Sequence, residues 1–134
     1  MKRYLAIIAM LTAMTGTPAL ATGGLYCGSP IDPSVEASLT IGRVPGFAVV
    51  GAIIGAGDKV WTMPGGLVPG AGEIVLAQGS NDGTWIIADF ADADVSQILI
   101  KLRLAVSMVE DSSVVAGSLW IRDSGHWPVV CELE

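Results

Sequence analysis

Residues 73–90 read EIVLAQGSNDGTWIIADF. Ile74 and Leu76 alternate with Val75 and Ala77, so Glu73 to Gln78 has the period of a strand. Gly79-Ser80-Asn81-Asp82-Gly83 interrupts it, and Asp-Gly supplies the positive φ that a tight hairpin needs. Thr84 to Phe90 then resumes as a second strand. The pair predicts a β-hairpin, and the sequence on either side extends the same pattern.

Upstream, Val35, Ala37, Leu39 and Ile41 alternate with Ser34, Glu36, Ser38 and Thr40. One face of this strand is dry and the other wet. Gly42 and Pro45-Gly46 end it. Phe47 to Ile54 is apolar at nearly every position, which predicts a strand buried on both faces. Asp58 to Met63 reads as a short strand. Pro64 to Gly72, PGGLVPGAG, is loop, because its prolines and glycines leave no regular element.

Downstream, Asp92 to Gln97 reads as a helical turn with Asp92 as its cap. Ile98, Ile100, Leu102, Leu104, Val106 and Met108 alternate with Leu99, Lys101, Arg103, Ala105 and Ser107, which predicts a long strand. Val95, Ile98, Leu99 and Leu102 also fit helical spacing, so a helix through 91–109 is the alternative. Val114 to Arg122 and His126 to Glu132 complete a set of about eight strands. The fold class is therefore all-β, a small antiparallel β-sandwich or barrel with at most one short helix.

The first 21 residues read differently. Lys2 and Arg3 precede an apolar run from Tyr4 to Met14, Pro18 breaks it, and Ala19-Leu20-Ala21 follows. That order is a cleavable secretory signal, and the run is too short to span a membrane. Residues 22–134 then form one β domain, periplasmic or secreted, with no membrane span after cleavage. The 134-residue chain has a net charge of −6, which becomes −8 without Lys2 and Arg3. Such a balance excludes a nucleic-acid surface; it serves solubility and tolerates a basic protein as partner, which it would meet faster at low salt. Charged residues are only 15% of the chain, which excludes a disordered acidic tail.

Cys27 and Cys131 are the only cysteines, near the two ends of the domain. In an oxidising compartment they pair, tying the first strand region to the last. No catalytic set and no cofactor site is legible. His126 is the only histidine, and no G-x-S-x-G elbow accompanies it. Asp89, Asp92 and Asp94 form a weak calcium candidate, but no glycine and closing Glu complete a loop of EF-hand type.

The four tryptophans are the more informative residues. Trp61 adjoins the Gly/Pro loop that carries Leu67, and Trp127 lies in the last strand. Trp61, Leu67 and Trp127 are the candidate binding residues, since a loop tryptophan can anchor a protein or stack on a sugar. Trp85 shares a face with Ile87, and Trp120 lies opposite Leu119 and Ile121. In size, export, β content and acidic balance the chain resembles the small periplasmic lysozyme inhibitors. Their S-G-x-x-Y loop is matched only by Ser124-Gly125, so no residue role carries over.

These readings define three functions. The first is an exported, non-enzymatic binding module for a protein, in its sharpest form an inhibitor of a basic envelope enzyme. The second is a sugar-binding protein or small hydrolase using Asp89, Asp92 and Asp94. The third is a structural envelope component with an exposed edge strand.

Overall fold

Alternation of apolar and polar residues becomes, in the computed structural model, the inside and outside of one closed barrel. The structure describes residues 23–64 and 68–134. The predicted leader, 1–21, and Leu67 lie outside the described residues.

Nine strands follow in order: β1 (Gly23–Gly28), β2 (Glu36–Gly42), β3 (Ala48–Ala56), β4 (Lys59–Thr62), β5 (Gly72–Asn81), β6 (Trp85–Asp92), β7 (Ile98–Val109), β8 (Ser112–Ile121) and β9 (Gly125–Leu133). Each pairs with its neighbour in sequence, and β9 pairs back onto β1. All pairs are antiparallel except β4 with β5. A ring of strictly alternating strands needs an even number, so nine strands require one parallel junction. It lies between β4 and β5, where Trp61 pairs with Gly72 and Thr62 with Glu73.

The barrel interior is dry and filled. Leu25, Leu39, Ile54, Phe90, Leu102 and Leu119 are at most 1% exposed. They come from six strands, so every hairpin contributes apolar area to one shared core, at about 25 cal/mol per Å² removed from water. Outside stand Glu36, Lys101, Ser118 and Glu132 among exposed apolar residues. The water-filled barrels of porins differ in having a polar interior.

Cys27 and Cys131 face each other directly across the β1–β9 pair and are bonded, closing a separation of 104 residues. In the chain-entropy model a loop that long stabilises by ~4–5 kcal/mol.

Several local readings are refined. The Asp82-Gly83 hairpin forms as read, with Gly83 at φ 87°. Both its strands run further than their patterns suggest, β5 through a bulge between Leu76 and Gln78. Residues 98–109 are strand, not helix. Residues 93–97 form a turn, not a helical one, headed by Asp92, whose carbonyl accepts from Val95 N–H at 2.9 Å. The two-sided burial expected for 47–54 is corrected: Val50 and Ile53 are 56% and 44% exposed. A barrel wall has only one dry face, so those side chains point to solvent.

Candidate functional site

Strand parity sorts the four tryptophans into two inward and two outward. Trp61 pairs with Ile54 and Trp127 with Leu119, both core positions. Each is half-buried and packs against the core. Each also lies on a glycine: a Cβ on Gly72 would stand 2.9 Å from the Trp61 ring, and one on Gly125 would stand 2.7 Å from Trp127. Trp85 and Trp120 point outward, Trp85 with half its area exposed. The two rings chosen from the sequence are thus core-facing, while the other two stand on the outer wall.

The aspartates do not come together. Asp89 is nearly buried on the outer side of β6, and both its oxygens accept from the Arg103 guanidinium, at 2.5 and 3.0 Å. It pairs with Lys101 on β7, and Arg103 stands two residues along on the same face. Asp92 accepts from the Ser96 hydroxyl and from Ser96 N–H at 2.6 Å. These bonds hold its carboxyl below the usual range, the hydroxyl contributing most. Asp94 is exposed in the turn. Among the described residues no group of three or more acidic, His or Cys side chains could hold a metal ion. Asp89 and Asp92 are therefore engaged as structural acceptors, one cross-strand and one at a turn.

Among the hollows of the outer wall, two hold an aromatic ring. The first runs across β9, β1, β2 and β3. Tyr26 on β1 is 48% exposed, with Val130 at 53% on one side and Ile53 at 44% on the other. Glu36 and Glu132 form its rim. The groove has a volume of about 440 Å³, and a second hollow of about 240 Å³ adjoins it between Tyr26 and Ile53. The disulfide lies directly beneath, so the floor is covalently fixed. Tyr26 itself rests on Gly24, where a Cβ would stand 2.9 Å from the ring. None of β1, β2, β3 or β9 carries Lys or Arg.

The second groove lies across β7, β8 and β9. It is lined by Lys101, Arg103, Ser118, Trp120 and His126, with a volume of about 290 Å³. Register builds it: Lys101 pairs with Trp120, which pairs with His126. Lys101 Nζ stands 5.2 Å and the Arg122 guanidinium carbon 5.7 Å from the Trp120 ring centre. Neither groove was chosen from the sequence, because each joins residues that only strand register brings together. For Trp120 a signal was present in its parity opposite Leu119 and Ile121.

No known protein family, characterised protein or solved structure matches the chain.

Proposed function

We propose that the chain is an exported, non-enzymatic binding module for a basic protein, and that Tyr26 is the anchor of the contact. The observation that carries this reading is an exposed tyrosine seated between two exposed aliphatic side chains with a carboxylate rim. Tyrosine is a preferred interface anchor because it offers a large rigid ring and one polar tip. The Glu36 and Glu132 rim favours a partner carrying Lys or Arg, and a −6 chain steers such a partner at low salt. A floor pinned by the disulfide loses little entropy on binding, which suits a preorganised surface. Export rests on the leader pattern of residues 1–21, and the disulfide suits an oxidising compartment. The engagement of Asp89 by Arg103 and of Asp92 by Ser96 speaks against acid–base work by those carboxylates.

The test uses the disulfide-bonded mature protein as bait in envelope and culture-medium extracts, with mass-spectrometric identification. The expected result is one basic protein that elutes with salt. Tyr26→Ala should weaken that complex by roughly 30-fold, the ~2 kcal/mol of an interface anchor. Glu36→Lys should lower the association rate and its salt dependence. A partner held equally well by Tyr26→Ala and insensitive to salt would overturn the reading.

A further inference from the structure

The β7–β9 wall holds a charge pattern opposite to that of the whole molecule. The chain is acidic, yet three of the five Lys and Arg residues beyond position 22 stand on this one wall, Lys101, Arg103 and Arg122, with His126 beside them. We propose that the groove around Trp120 binds a carboxylated saccharide.

The cations differ in their partners. Arg103 is committed to Asp89, the one ion pair among the described residues. Lys101 and Arg122 make no ion pair there, since Asp89, directly across from Lys101, is turned to Arg103. Arg122 is held in place by its own backbone contacts: its Nε donates to the Ile98 carbonyl at 2.8 Å, and its N–H donates to Leu99 O at 2.8 Å. Its terminal nitrogens are thus directed without being neutralised. Both free cations lie within 6 Å of the same indole centre. The indole restricts their motion, so less entropy is lost when they meet an anion.

The remaining groups narrow the ligand. Ser118 and His126 add a hydroxyl and an imidazole to the lining, which can bond sugar hydroxyls. The flat face of the Trp120 ring suits the C–H face of a pyranose ring. A bare inorganic anion would leave the indole unused, and a neutral sugar would leave Lys101 and Arg122 unused. At about 290 Å³ the groove has the size of a small-ligand site, since such sites start near ~300 Å³. A sugar ring bearing a carboxylate uses the indole, both unpaired cations and the polar lining together. The competing account is that Lys101 and Arg122 only cover the indole with their aliphatic stems.

Nitrogen-15-labelled, disulfide-bonded protein is titrated with trigalacturonic acid, with maltotriose as neutral control and inorganic phosphate as bare-anion control, at constant ionic strength. The readout is the indole N–H resonance of Trp120, identified by its absence in Trp120→Phe. The expected result is a saturable shift with the uronate alone. Lys101→Gln and Arg122→Gln should each weaken binding about tenfold, the loss of one charge-assisted hydrogen bond. Lys59→Gln, away from the groove, should stay within about twofold of the parent. Absence of a saturable shift up to about 10 mM uronate would overturn the proposal, since binding would then be weaker than ~3 kcal/mol. An equal response to phosphate would overturn it as well, as would undiminished binding in the Lys101→Gln, Arg122→Gln double variant.

Discussion

The β7–β8 wall and the β4–β5 junction are built to different standards. The wall pairs continuously from Ile100 to Val109 against Ile121 to Ser112. The junction pairs only at Trp61 with Gly72 and Thr62 with Glu73, in the less stable parallel sense. Below it, Ile74 to Asn81 has no strand partner on the β4 side among the described residues. Phe47 covers that notch, lying against Gly79, where a Cβ would stand 3.1 Å from its ring. The wall carries an outward tryptophan held in register by two neighbouring strands, while the junction carries an inward tryptophan that packs on the core. The same residue type is a surface feature in one place and core packing in the other, and strand parity separates them.

The hardest way to break the contrast is to damage the wall. A Cβ on Gly117 would stand 1.9 Å from the Arg103 carbonyl oxygen, a backbone atom with nowhere to move. Gly117→Ala should lower unfolding free energy by about 3 kcal/mol, measured by urea denaturation. Gly72→Ala at the junction meets a side chain instead and should cost only about 1 kcal/mol. Equal losses would show that the wall is no stiffer than the junction.

Trp61→Ala is next in size. Removing a half-buried ring that packs on the core should cost about 2 kcal/mol by the same measurement. It should also speed hydrogen exchange at Thr62 and Glu73 while leaving Leu102 and Leu104 protected. Uniform acceleration over all four amides would mean that junction and wall open together.

Asp89→Asn sharpens the comparison on the side of the wall. The nearly buried carboxylate would become a neutral amide, leaving half-exposed Arg103 unneutralised beside the Trp120 groove. A loss of about 1–2 kcal/mol is expected, within the range for a charge-assisted bond.

The smallest effect concerns the turns at the two ends of β6, the strand between junction and wall. Asp82 accepts from Trp85 and Thr84 N–H, and Asp92 accepts from the Ser96 hydroxyl. Both carboxyls are held below their ordinary value of 3.8 by these bonds. A lowered folded-state pKa adds stability that is fully present above the unfolded value and is lost as pH falls through the folded one. Melting temperature should therefore decline slightly as pH falls below about 4, and Asp92→Asn should flatten that decline. An unchanged acid profile in the variant would remove the Asp92 turn from the account.

Much of this architecture was legible because local rules decide it. Alternation in Ser34–Ile41 and Ile98–Met108 marked single-sided strands, Asp82-Gly83 marked the hairpin, and two cysteines near the two ends of the domain marked the bond. Closure and the parallel junction were not legible, since nothing in Pro64–Gly72 states which strand its far end will meet. The Trp120 groove was hidden for the same reason, because Lys101 and His126 reach it only through register. Trp61 attracted notice by standing beside a loop. Its ring instead packs against the core and lies on Gly72.

The β1–β9 pairing has one more consequence. Gly24 and Glu134 exchange two backbone hydrogen bonds, at 2.9 and 3.2 Å. The two ends of the described chain are therefore neighbours, and the barrel is a ring of nine strands written as a line. A short peptide could splice those ends, and the chain could be reopened at the exposed Glu110-Asp111 turn. Such a circular permutant would keep every strand neighbour while making β7 and β8 the terminal strands. The order of strands in the gene is then one of several equivalent readings of the same circle.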